Sequence, residues 1–133
     1  MGGNKDIYTK EIIVKKSDLD FNNHVNNVKY LEWLVDIAGE HFYSKGYDID
    51  FMKTNKFTWV TKYHYVEYKK PAFLGDKLTI ITWIEKFKKL SGIRKYEIRK
   101  NNEIIILAES EWVYIDLNKN KPSKIPEFII KSF

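Results

Sequence analysis

From Asn26 to Tyr43 the chain carries Val28, Leu31, Leu34, Val35, Ile37, Ala38 and Phe42 together with the rings of Tyr30 and Trp33. On a helix these side chains cover most of the circumference. Only Lys29, Glu32, Asp36 and Glu40, three or four residues apart, form a polar stripe. A helix apolar nearly all round is a buried helix, because every apolar side left in water forfeits its transfer free energy. Something in the chain must therefore wrap it. Asn23 or Asn26 is placed to cap its start, since an Asx side chain accepts from the first free N–H groups. Gly46 follows its end, where a left-handed residue closes a helix.

The rest of the chain supplies a sheet. Residues Ile7–Lys16, Phe57–Tyr68, Lys77–Phe87, Ile93–Lys100 and Glu103–Asp116 are rich in β-branched and aromatic side chains and read as strands. Alternation within Phe57–Tyr68 puts Phe57, Trp59, Tyr63 and Tyr65 on one face. Gly75-Asp76, Ser91-Gly92 and Asn101-Asn102 read as turns, and Asn tolerates the positive φ of a tight hairpin. A loop over Asn118–Pro126 and an apolar tail over Phe128–Phe133 complete the chain. One strand, one long helix and four strands in antiparallel succession give an α+β fold. It is a single domain over 1–133, an antiparallel sheet of about five strands wrapped around one central helix.

Composition narrows the chemistry. With 133 residues and 44% hydrophobic content, the chain can build a core without metal or disulfide. It has no cysteine, which removes thiol nucleophiles and zinc–thiolate sites, and no metal-ligand spacing of His or carboxylates is present. No cofactor is expected. The net charge of +5 is spread among interleaved acidic and basic residues, so a solvated surface is expected rather than a nucleic-acid face. The turn Lys86-Phe87-Lys88-Lys89 with Arg94 could form a basic edge toward phosphates or an acidic carrier. No apolar run reaches the length that spans a membrane. Residues Met1–Asp6 lack a leader-like apolar stretch, and Asp6 stands where a myristoylation motif prefers Ser or Thr. A cytoplasmic location is the expectation.

The polar residues concentrate in one place, the segment Ser17-Asp18-Leu19-Asp20-Phe21-Asn22-Asn23-His24-Val25-Asn26-Asn27-Val28-Lys29-Tyr30. It joins a strand to the apolar helix. The helix start at Asn26 and Asn27 offers unpaired N–H groups that can polarise a carbonyl and hold an oxyanion. Asp20 could attack that carbonyl or deprotonate a water that does, with Asn22 and His24 orienting either one. Capping and Asx turns alone would explain the same residues, so the residues by themselves leave both readings open.

This segment resembles the signature of the plant-type acyl-ACP thioesterases and, more loosely, of the 4-hydroxybenzoyl-CoA thioesterase family; both are hotdog folds. A second stretch, Tyr68-Lys69-Lys70-Pro71-Ala72-Phe73-Leu74-Gly75-Asp76, is similar to the Tyr-x-x-Pro-Ala-x-x-Gly-Asp turn of many hotdog thioesterases. The resemblance implies hydrolysis of an acyl-CoA or acyl-carrier-protein thioester. It makes Asp20 the nucleophile or general base, Asn22 and His24 its catalytic partners, and the backbone near Asn27 the donor to the thioester carbonyl. Tyr30 could support them, and Glu67 is either a supporting acid or a plain strand residue. The plant-type enzymes join two hotdog units, whereas this chain has one, so a homo-oligomer, a dimer or dimer of dimers, is expected. Those enzymes also use acidic or thiol residues in the segment like Tyr65–Ala72. Here Pro71 and Ala72 stand there, and Glu67 is offset. Hydration or dehydration of an acyl thioester, and a non-catalytic acyl- or nucleic-acid-binding module, are the rival readings; hotdog folds host several chemistries.

Overall fold

A computed structural model describes residues 5–133; the terminal reading made above for Met1–Asn4 lies outside the described residues. Strand β1 (Tyr8–Ile13) is followed by a 3-10 turn over Lys16–Asp18 and by helix α1 (Asn27–Ser44). A short helix α2 (Ile49–Thr54) precedes strands β2 (Phe57–Tyr68), β3 (Lys77–Phe87), β4 (Ser91–Lys100) and β5 (Glu103–Asp116). A two-residue strand β6 (Lys121–Pro122) and a one-turn helix α3 (Glu127–Ile130) end the chain. The sheet runs β1-β3-β4-β5-β2, with β6 beside β5, and every pairing is antiparallel.

The sheet curls around α1 as expected. Tyr30, Leu34, Ile37 and Ala38 of α1 pack with Leu78, Ile80, Tyr96, Ile98 and Ile106 in one core. A second cluster, built on Tyr47, Phe57, Tyr114, Ile125 and Ile129, lies beyond the helix end and is sealed by the C-terminal tail. Asn26 caps α1, accepting from the Val28 N–H at 2.9 Å, and Gly46 follows its end at φ 91°. Asn101 and Asn102, at φ 51° and 64°, make the β4–β5 hairpin.

Several expectations are corrected. The helix is not enclosed on every side: Val28, Val35 and Tyr43 are exposed, while Glu40 of the polar stripe pairs with Lys10 at 2.7 Å. The strands do not pair in chain order, because β2 lies next to β5 at the far edge. Ser91-Gly92 belong to β4, and the turn falls at Lys88–Leu90. A bulge at Lys62 shifts the register of β2, so Tyr63 and Tyr65 turn to the outer face while Phe57 and Trp59 stay inside. One extra residue reverses a period-two pattern. Arg94 belongs to no basic edge: it is 1% exposed, within the core.

Candidate active site

The β2–β3 connection has to cross the mouth of the curled sheet, since β2 and β3 stand three strand positions apart. That crossing takes it past the start of α1. There it meets the polar segment: Val25 N–H donates to the Ala72 carbonyl at 2.9 Å, and Ala72 N–H donates to the Tyr30 hydroxyl at 3.0 Å. Burial raises the Tyr30 pKa, which keeps that hydroxyl neutral. Gly75, at φ 85°, and Asp76 close the connection; Gly75 N–H donates to the Val14 carbonyl, and Asp76 Oδ2 accepts from the Phe73 N–H at 2.8 Å. The two sequence motifs are thus one structural unit.

Within the polar segment the backbone makes a small hairpin. Leu19 and Val25 bridge, Asp20 N–H donates to the His24 carbonyl at 3.0 Å, and Asn23 takes φ 64° at the tip. Asp18 holds the base. Its buried carboxylate accepts from the Lys15 N–H and pairs with Lys29 at 3.6 Å, and its carbonyl accepts from the Asn26 N–H. Asp18 is therefore an anchor for the loop.

Asp20 and His24 face each other, with His24 Nδ1 at 4.0 Å from Asp20 Oδ2. The other carboxylate oxygen, Oδ1, accepts from the Asn22 N–H at 2.9 Å. Both side chains are part-exposed. Phe73 sets its ring edge against His24 at 6.3 Å between centroids, and Phe21 and Leu74 stand exposed nearby in the chain. At the helix start, the Val28 and Lys29 N–H groups are taken by Asn26, whereas the Asn27 N–H has no acceptor among the described residues. It is a free donor on the positive end of an 18-residue helix.

Glu67 stands apart from this group. It projects to the outer face of the sheet, where it contacts Tyr65 and Lys69. Phe73 was not singled out by sequence reasoning; its only signal was membership of the Pro-Ala-x-x-Gly-Asp stretch. His41 and Arg94 were missed as a pair. They lie 53 positions apart and meet only through the fold, with Arg94 Nη1 at 2.9 Å from His41 Nδ1.

A curled antiparallel sheet around one long helix is the hotdog fold. The sequence model of the acyl-ACP thioesterase N-terminal domain matches residues 5–133, and the chain belongs to that family. Its class is thioester hydrolase. The long-chain acyl-CoA thioesterase FadM of Escherichia coli (strain K12) is 29% identical over 113 residues, 84% of this chain and 85% of that protein. Among solved structures, an acyl-ACP thioesterase from Bacteroides thetaiotaomicron superposes at a TM-score of 0.83 with 25% identity, over 90% of this chain and 49% of that one. A 1,4-dihydroxy-2-naphthoyl-CoA thioesterase from Synechocystis shares the fold at a TM-score of 0.86 and 18% identity, over 96% of this chain and 95% of that one. No helix among the described residues is long and apolar enough to cross a membrane.

Proposed function

We propose that this chain hydrolyses fatty acyl-CoA or acyl-carrier-protein thioesters, with Asp20 as nucleophile or general base. The observation that carries this is the placing of the Asp20 carboxylate, the His24 ring and the free Asn27 N–H on one short loop at the helix start. The thioester carbonyl oxygen points at the Asn27 N–H, with the helix dipole behind it, and the charge that develops on attack is held there. Asp20 attacks the carbonyl carbon or takes a proton from the attacking water. His24 and Asn22 position that water; collapse of the tetrahedral intermediate breaks the C–S bond and the leaving thiolate takes up a proton, giving the free acid at once on the water route and, on direct attack, an Asp20 acyl anhydride that water then hydrolyses. Phe73, Leu74 and Phe21 give the reacting end an apolar rim that thins the water around it.

The working form in this reading is a homodimer. Strand β2 is an edge, and Val60, Tyr65 and Tyr68 on it are exposed, as are Val28 and Val35 of α1. An edge of this length with apolar side chains is a site for strand pairing, and a second copy covers it symmetrically. Light scattering behind a sizing column distinguishes 15.9 kDa from twice or four times that mass.

The deciding assay is thiol release from acyl-CoAs and acyl carrier proteins of varied chain length, for the native chain and Asp20→Asn. Turnover on at least one series, lost in the variant, supports the reading; absence of thiol release from every substrate overturns it. Oxygen-isotope tracing under single turnover separates the two roles of Asp20, since only direct attack leaves solvent oxygen in its carboxylate.

A further inference from the structure

Arg94 sits in the core with its guanidinium 5.4 Å over the Phe42 ring. Its Nη1 meets His41 Nδ1 at 2.9 Å and donates to Thr82 Oγ1 at 3.0 Å. Burial lowers the His41 pKa to about 4, so the ring is neutral at pH 7; it accepts from Arg94 at Nδ1 and donates from Nε2 to Asp6 Oδ2 at 3.1 Å. Burial also lowers Arg94, to about 10, which leaves it protonated. Among the described residues no carboxylate touches Arg94, and its Nη2 has no hydrogen-bond partner. Among the described residues the other buried side-chain donor without a partner is Trp59 Nε1. Unpaired buried donors are costly, and an orphaned one calls for an explanation.

Both residues border the same small space. Arg94 and Trp59, with Phe42, Ile84, Phe87, Gly92 and Trp112, line a partly open chamber of about 10 Å³, about the space of one oxygen-sized group. Phe42, Trp59 and Trp112 are shared with an open groove of about 350 Å³ between α1, α2 and β2. The groove is mainly apolar, with Val35, Ala38 and Met52 in its walls. At 1.5 Å per residue, Val35 stands about 12 Å and Phe42 about 22 Å along the helix axis from Asn27.

We propose that the groove takes the acyl chain and that the chamber at its end binds an oxygen carried on that chain, with Arg94 Nη2 and Trp59 Nε1 as donors. The proposal rests on the thioesterase reading for the position of the thioester. A plain alkyl end leaves both donors bare, whereas a hydroxyl, oxo or carboxylate oxygen satisfies them, and a carboxylate also answers the buried charge. Sites built to hydrogen-bond an oxygen discriminate strongly against the analogue that lacks it.

The test is calorimetric titration of non-hydrolysable thioether analogues of acyl-CoA, in a series of chain lengths ending in methyl, hydroxyl or carboxylate. The native chain should bind an oxygen-ended analogue at least tenfold tighter than its methyl-ended match at one or more lengths. Trp59→Phe keeps an aromatic ring and removes the donor, and should cut that advantage at least threefold; Arg94→Met should abolish it where the variant folds. Preference for hydroxyl identifies a neutral oxygen, and preference for carboxylate an anion; either supports the proposal. Equal or tighter binding of the methyl-ended analogue at every length, an advantage untouched by Trp59→Phe, or no binding at all overturns it. Thiol release is scored separately, so an oxygen preference without hydrolysis would sink the enzymatic reading while the subsite stood.

Discussion

His24 Nδ1 lies 4.0 Å from Asp20 Oδ2, just beyond hydrogen-bond range, while Asp20 Oδ1 is held by the Asn22 N–H. One carboxylate oxygen is thus fixed, and the other shares a small gap with the imidazole. If the two act on one substrate as a unit, their losses do not add. Asp20→Asn should lower kcat by about a hundredfold or more, and His24→Gln by tenfold or more. The double variant should be little worse than Asp20→Asn alone. Multiplicative losses in thiol-release kinetics would show that the residues act independently.

Removing the Tyr30 hydroxyl should weaken the whole site from beneath. Tyr30→Phe leaves the buried Ala72 N–H without its acceptor, a loss of about 1–3 kcal/mol. The urea midpoint should fall accordingly. Because Ala72 also accepts from Val25, kcat should fall as well, with KM for the acyl thioester less affected. An unchanged midpoint would mean that another group takes up the Ala72 N–H.

Mild acid should destabilise the fold through His41. His41, with folded pKa about 4 against an ordinary 6.5, stays unprotonated in the native chain while the unfolded chain binds a proton. Stability attributable to it is therefore full above about pH 6.5 and lost as pH falls toward 4, by up to about 3 kcal/mol. Arg94 facing it remains charged throughout, and Asp6, which also pairs with Lys45, is held below its usual range because the hydrogen bonds from Lys45 and His41 outweigh its desolvation. Burial lowers His64 too, so it adds to the same slope. Urea unfolding between pH 4 and 7 should show the slope, and His41→Gln should flatten most of it. An equal slope in the variant would assign it to other groups.

Gly75→Ala should cost about 1 kcal/mol or more, since the φ of 85° is strained for any residue with a Cβ. No atom stands within 4 Å of the added carbon, so the cost is conformational, and Gly75→Asn should recover part of it. Melting temperatures of the three proteins check the order Gly, Asn, Ala.

Three strands, Phe57–Tyr68, Lys77–Phe87 and Glu103–Asp116, have the bounds that their composition and turn residues predict, and α1 agrees within a residue. These elements announce themselves through local periodicity and local caps. Helix α2 was missed because its six residues are too few to show a period, and β6 because two residues form a strand only when β5 is beside them. The Lys62 bulge was invisible for a related reason: alternation of Phe57, Trp59, Tyr63 and Tyr65 is unbroken in sequence, and only pairing with β5 places the extra residue.

The same division runs through the site. Asp20, Asn22, His24, Asn26 and Asn27 were legible because they are consecutive neighbours of a helix start, where residue type and spacing determine which backbone donors are free. Which groups stand over that start was not, since Ala72 and Phe73 arrive there only because β2 pairs with β5 and its exit must cross the sheet. Arg94 makes the same point most sharply. Read along the chain it is one more cation near a lysine-rich turn; in the fold it is enclosed beside His41 and Trp112 with a donor unspent. Sequence by itself determined the wrapped helix, the strands and the reactive loop, because those depend on interactions within a few residues. Tertiary structure alone decided strand order, which groups converge on the helix start and which charge is buried, because these depend on contacts between residues tens of positions apart.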